Sequence, residues 1–150
     1  MAANTTPIFT LTPNVGVANI TAANVKSDGT GTGVGTDIFK AFTAGTNGSF
    51  VARVRINVVA TAASTASTAT VCRIFYSTAT SGATTGGTNT WLLGELALPS
   101  VTADSPTAPT SPLELMLNFA LPTGSFIHVT THAAPAASTS VQAVVFGGDY

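Results

Sequence analysis

The chain has 150 residues, with 5 Lys or Arg, 6 Asp or Glu, and a formal net charge of −1 at pH 7. Charged residues make up 7% of the chain, against about a quarter in an ordinary soluble domain. So few cations argue against a binder of duplex nucleic acid and against an electrostatic membrane anchor, since both need clustered Lys or Arg. The same scarcity of ionisable groups predicts a protein that is not an enzyme and holds no cofactor.

The length fits one domain. Residues 1–13 are predicted to form an extended arm or first strand, and residues 14–150 a single β-sandwich domain. The arm is polar and interrupted by prolines, but Pro7, Ile8 and Phe9 give it an apolar centre. Such a segment can add itself to the sheet edge of a neighbour, so these three residues are candidate interface residues. The arm lacks the basic and apolar regions of a secretory signal peptide.

Short apolar runs separated by Gly, Pro, Asn and Ser predict about nine strands. Alternation is clearest at 50–58, where Phe50, Ala52, Val54, Ile56 and Val58 are expected to face inward, and at 113–121. The other predicted strands are 8–12, 15–22, 38–43, 71–77, 90–98, 126–131 and 141–146.

This pattern, without a convincing helix, predicts an all-β fold: an antiparallel two-sheet β-sandwich. Jelly-roll order is the first choice and immunoglobulin-like order the alternative. The predicted core consists of Val54, Ile56, Val58, Ile74, Leu115, Leu117, Phe119, Val145 and one of Phe126 and Ile127.

Glycines alternate through residues 27–36. A phosphate-binding loop needs Lys and Ser or Thr after its last glycine, followed by a helix. Here Gly35 is followed by Thr36 and Asp37, and then by a predicted strand. We therefore interpret the segment as a turn-rich surface loop.

Other candidates for chemistry are few. Cys72 lies in an apolar run and is interpreted as a buried small hydrophobe. His128 and His132 could share one face of a strand, but two histidines without a nearby third ligand make a weak metal site, and no metal is expected. The six carboxylates could supply a pair for a small hydrolase, but outward-facing polar positions explain them better.

A carbohydrate-binding module is the more serious alternative, since β-sandwiches commonly bind sugars. Sugar-binding surfaces usually need exposed aromatic rings, and the Trp and Tyr residues here are Trp91, Tyr76 and Tyr150. Trp91 lies in an apolar run, which favours a place in the core or in an interface. Tyr150 follows a glycine pair and is likewise a candidate interface residue.

Residues 3–14 (ANTTPIFTLTPN), 28–31 (DGTG) and 146–150 (FGGDY) resemble small structural proteins of tailed bacteriophages. The resemblance implies a virion component without enzymatic activity. Among such components we expect a capsid decoration, or cement, protein that sits on the capsid surface, is assembled in the host cytoplasm, and binds the major capsid protein as a homotrimer. A tail, neck or fibre-associated protein is the alternative within the virion.

Overall fold

The computed structural model describes residues 10–62, 65–103, 105 and 111–150. These ranges contain no helix, and the all-β prediction is confirmed. Their strands are β1 (Thr12–Ile20), β2 (Phe39–Thr43), β3 (Ser49–Ala60), β4 (Thr65–Ala66), β5 (Thr70–Ser77), β6 (Thr90–Leu98), β7 (Thr102–Ala103), β8 (Leu113–Leu121), β9 (Phe126–Thr131) and β10 (Thr139–Asp149). The predicted strand at 8–12 lies partly outside the described residues.

The strands form two four-stranded sheets and one small pair. The first sheet has the order β1-β10-β3-β8, the second has β2-β9-β5-β6, and β4 pairs with β7. Every pairing between these strands is antiparallel. Apart from β4 and β7, the pairing is nested: β1 with β10, β2 with β9, β3 with β8, and β5 with β6.

One apolar core joins the inner faces of the two sheets. The predicted core residues Val54, Ile56, Ile74 and Val145 are buried, whereas Val58, Leu115, Leu117 and Phe119 are half-buried and pack against the core. Ile127 faces the core. Alternation along β9 therefore turns Phe126 to the other side of the sheet, where it is also buried.

The predicted inward face of β3 is wrong at its start. The register of β3 and β10 shifts here: Phe146 pairs with Arg53 and Gly147 with Val51, so Ala52 is an extra residue of β3. Val51 is fully buried, while Phe50 and Ala52 are half-buried. A β-bulge sets two residues opposite one and reverses the alternation on one side of it. In its pairing with β3, β8 has an extra residue of its own beside this point, where Asn118 adopts a left-handed conformation with φ 52°.

The outer face of the second sheet is covered by two loops, residues 21–38 and 78–89. Ala23 forms a bridge with Thr131 at the end of β9, and Gly31 forms a bridge with Thr84 of the other loop. Phe75 and His128 are therefore fully buried on the side of the sheet that faces away from the two-sheet core. We call residues 21–38 the loop cover.

Candidate interaction surfaces

The outer face of the first sheet carries no covering loop among the described residues. Its centre consists of two cross-strand rows that run over β1, β10, β3 and β8, and we call it the open face. The rows are Val15, Phe146, Arg53, Met116 and Val17, Val144, Arg55, Glu114.

Apolar side chains on the open face are well exposed. Val15 is 56% exposed, Val17 68% and Met116 57%. Phe146 and Val144 lie between them and are half-buried. Along β1 the small residues Gly16 and Ala18 face the second sheet, whereas Val15 and Val17 face outward. This reverses the usual pattern, in which the larger apolar residues face the core. This reversal is the sequence signal for the surface, but Val15 and Val17 were not among the predicted interface residues.

The charged side chains of the open face form one ion-pair cluster. Glu114 accepts from Arg55 at 2.7 Å, and Arg53 Nε lies 3.5 Å from the same carboxylate oxygen. The two guanidinium groups also lie over the Phe146 ring, 4.6 and 5.5 Å from its centroid. Exposed ion pairs add little stability. These contacts hold both arginine side chains against the sheet. Because two arginines share one glutamate, the cluster carries one excess positive charge.

Trp91 lies on β6, an edge strand of the second sheet, and is 39% exposed. Its ring packs against Tyr76 on β5, with 5.4 Å between the centroids and 33° between the planes. Leu92 and Leu93 follow it and are 44% and 37% exposed. We call residues 91–93 the tryptophan edge.

The two ends of the described chain lie side by side at one end of the first sheet. The Leu11 N–H donates to the Asp149 carbonyl oxygen at 2.7 Å, and the Tyr150 N–H donates to the Gly48 carbonyl oxygen at 3.2 Å. Tyr150 is half-buried. The predicted interface residues Pro7, Ile8 and Phe9 lie outside the described residues. Trp91 is on the other sheet, so the structure does not place it on the same surface as Tyr150.

Arg73 fastens the loop cover to the second sheet. Its Nε donates to Glu95 at 2.7 Å, and its Nη1 lies 3.3 and 3.4 Å from the carbonyl oxygens of Asn24 and Lys26. Its Nη2 lies 3.4 Å from Nδ1 of His132, which is exposed. Arg73 is 7% exposed, so its charge is matched almost entirely by protein groups.

The glycine-rich segment is the turn of this loop cover. The Asp37 carboxylate accepts from the backbone N–H of Thr32 and of Gly33, each at 3.0 Å. Burial opposes ionisation of Asp37, but these backbone hydrogen bonds outweigh it and lower the pKa of the carboxyl. Asp37 therefore organises a structural turn, and its oxygens are already occupied by the chain.

The ionisable groups that the sequence suggested for chemistry do not converge. Burial raises the pKa of the Cys72 thiol to about 12. His128 is fully buried whereas His132 is exposed, just beyond the end of β9. In the described ranges no three His, Cys, Asp or Glu side chains are grouped as a metal site would require.

A shallow pocket of about 430 Å³ lies where β1 and β2 meet the loops. Asn19, Phe39 and Lys40 are among its lining residues. With only one charged side chain and few polar groups, it offers little to orient a substrate.

No protein-family model, no curated protein and no solved structure matches this chain. In the part of the chain that the structure describes, no helix is long and apolar enough to cross a bilayer.

Proposed function

We propose that this protein is a structural component of a tailed-phage virion: a capsid decoration protein that binds the major capsid protein and bridges its subunits. The observation that carries the proposal is the open face. The second sheet covers its outer face with its own loops, whereas the first leaves Val15, Val17 and Met116 exposed.

The composition of the open face fits an interface. Contiguous exposed apolar side chains on a soluble domain commonly mark a docking surface. Phe, Met and Arg are enriched at interfaces, and the open face carries Phe146, Met116 and two arginines, with Glu114 as the one carboxylate in its two rows. The side chains of Val15 and Val17 lose little rotamer entropy on docking, because β-branched residues are already restricted at χ1.

The strand pairing supports a jelly-roll order for the sandwich. A nested pairing of β1 with β10, β2 with β9, β3 with β8 and β5 with β6 arises when one long hairpin is folded over into two sheets. In an immunoglobulin-like sandwich the first two strands pair within one sheet, whereas β1 and β2 belong to different sheets. Jelly rolls occur in viral capsid proteins and in lectins, so the order is compatible with the proposed role.

The proposed action is mechanical. Each copy lies across a joint between capsid subunits on the outer surface and buries apolar area there, which opposes separation of the subunits under the pressure of packed DNA. A homotrimer would present three such faces at once, so modest contacts at each face suffice. The action needs no nucleic acid, membrane or cofactor.

A carbohydrate-binding module remains a second candidate, and the tryptophan edge favours it. An indole that is 39% exposed and supported by Tyr76 offers a flat ring to a sugar. A tail, neck or fibre-associated virion protein is a third candidate, because the same open face would dock equally well on those parts.

The test compares two exposed valines. Val17 on the open face is 68% exposed, and Val25 on the loop cover is 64% exposed. Each is changed to Asp, and the purified variants are added to phage heads that lack the protein. We expect wild type and Val25→Asp to bind and to raise the disruption temperature of the heads, and Val17→Asp to bind at least about tenfold more weakly, because it buries a charge.

Equal binding of heads by the two variants would show that the open face is not the docking surface. Failure of the wild type to bind heads at any salt or pH would overturn decoration, and electron microscopy showing it on the tail would support the third candidate. Glycan binding that is lost in Trp91→Ala and kept in Val17→Asp would support the carbohydrate module.

A further inference from the structure

We propose that His128 makes the loop cover acid-sensitive: residues 21–38 close over the second sheet at neutral pH and release it when His128 is protonated. The inference concerns the covered face and does not depend on the role proposed for the open face.

His128 lies in a site built for a neutral ring. It is fully buried, and neither ring nitrogen has a hydrogen-bond partner. The ring stacks on Phe126 at 5.8 Å, with 17° between the planes, and its register partners on the adjacent strands are Phe75 and Lys40. An imidazolium would hold two N–H donors here without an acceptor, and burying an unpaired charge is costly.

The charged groups on the neighbouring strands give no compensation. Lys40 on β2 lies with its Nζ 5.1 Å from the centroid of the Phe126 ring. Burial, and then the charge of Lys40, lower the pKa of His128 to about 4. On β5 and β6, Arg73 and Glu95 are bonded to each other.

The loops above His128 bring no free carboxylate either. In the loop cover, Asp28 accepts from the backbone N–H and hydroxyl of Thr30, and Asp37 is bonded to its own turn. Lys26 is the remaining charged residue of this loop, and it is exposed. Residues 78–89 contain no ionisable side chain. A protonated His128 would therefore have no free carboxylate to pair with, and opening the loop cover lets water solvate its charge.

The loop cover is the segment that opens. Besides the hydrogen bonds from Arg73 to Asn24 and Lys26, it has three main-chain links to the rest of the described chain. These are Asn24 N–H to Thr131 at 2.8 Å, Gly31 N–H to Thr84 at 3.2 Å and Val34 N–H to Gly82 at 3.1 Å. The described core between the sheets includes no histidine and no carboxylate. Acid therefore acts on the covered side and leaves the two-sheet core unchanged.

The size of the effect follows from linkage. Once the loop is open, His128 titrates near its ordinary value of 6.5, whereas in the closed state it titrates at about 4. The open state binds more protons between these values, so the opening constant rises by up to about tenfold per pH unit as pH falls from 6.5 to 4. The full range amounts to about 300-fold.

Hydrogen exchange tests the proposal on the whole chain. Protection factors are measured for the amides of Asn24, Gly31 and Val34, and for amides of β3 and β10, between pH 7 and 4.5. We expect protection of the loop amides to fall by about 100-fold, while protection of β3 and β10 stays constant. His128→Phe should abolish this pH dependence, and His132→Phe, which changes the exposed histidine, should retain it.

Constant protection of the loop amides in wild type would overturn the proposal, as would an unchanged pH dependence in His128→Phe. If His128→Phe does not fold, the ring of His128 in wild type is titrated by NMR. A ring that is protonated at pH 6 while the loop amides stay protected would equally overturn it. Lys40→Met should weaken the acid response, because the variant removes the nearby positive charge.

Discussion

The carbonyl oxygen of Ala41 fills the space that a Cβ on Gly16 would need. The Ala41 carbonyl carbon and the Phe42 Cα stand only 2.9 and 2.8 Å from that position. Because Gly16 is on β1 and Ala41 on β2, this contact joins the edges of the two sheets, backbone against backbone. The tight approach also turns the larger side chains of β1, Val15 and Val17, outward onto the open face.

Gly16→Ala should therefore destabilise the protein strongly. The obstacle is backbone, which cannot move aside as a side chain can, so we expect a loss of about 3 kcal/mol in the free energy of unfolding. Urea denaturation measures it. Gly33→Ala is the control, because its added Cβ would meet nothing closer than the Thr36 hydroxyl at 3.4 Å. A Gly16→Ala protein as stable as the control would show that the two sheets are not packed this closely.

Arg73→Met should loosen the loop cover. The variant leaves the carbonyl oxygens of Asn24 and Lys26 without their donor, and we expect a cost of about 2–3 kcal/mol. Thermal unfolding followed by circular dichroism would report the loss. Arg55→Met is the matched control, since its pair with Glu114 is about one-third exposed on both sides and should contribute under about 1 kcal/mol. Equal effects of the two substitutions would contradict the fastening role of Arg73.

Cys72 should react with thiol reagents only after unfolding. Burial raises the pKa of its thiol to about 12, so at pH 8 almost none is present as the reactive thiolate. We expect labelling by a disulfide reagent to be negligible in the folded protein and rapid in denaturant. Val25→Cys supplies an exposed thiol on the loop cover for comparison. Labelling of Cys72 at the rate of the Cys introduced at position 25 would show that the core is open to solvent.

Asp149 should stabilise the protein above its ordinary titration range and cease to do so in acid. Asn14 donates to its carboxylate at 2.8 Å and Ser49 donates to the same oxygen, and these bonds lower the pKa of Asp149 below 3.8. A lowered pKa means stability that is present above 3.8 and is lost as pH falls through the folded value.

Asp149→Asn should therefore be less stable than wild type at pH 7, and the difference should shrink below pH 3.8. Chemical denaturation at pH 7, 5 and 3 measures this. Asn14→Ala removes the first donor and should bring the pKa of Asp149 toward its ordinary value. A stability difference that is independent of pH would show that ionisation of Asp149 does not contribute.

Strand positions were predictable because alternation is a local property. The predicted strands at 90–98, 113–121 and 126–131 have the bounds of β6, β8 and β9. The two-residue strands β4 and β7 were missed, because one lies in a run of Ala, Thr and Ser and the other in a proline-rich connector that carry no alternation.

The candidate surface was predictable only in part. Trp91 is exposed beside Leu92 and Leu93, and its place in an interface stays a prediction. Val15, Val17 and Met116 were not among the predicted interface residues. Their exposure depends on which strands neighbour β1 and β8 and on what covers each sheet. The alternation of valines with small residues along β1 signals the outward valines, but which sheet face stays uncovered is decided by other elements.

The sequence by itself determined an all-β chain with few ionisable groups, because composition and a period of two need no knowledge of neighbours. Tertiary structure alone decided that β1 pairs with β10, that a bulge reverses the inward face of β3 at Val51, and that a loop buries His128. These features arise from contacts between residues far apart in the chain. Pairing, covering and burial are long-range relations, and one strand's pattern is compatible with many partners.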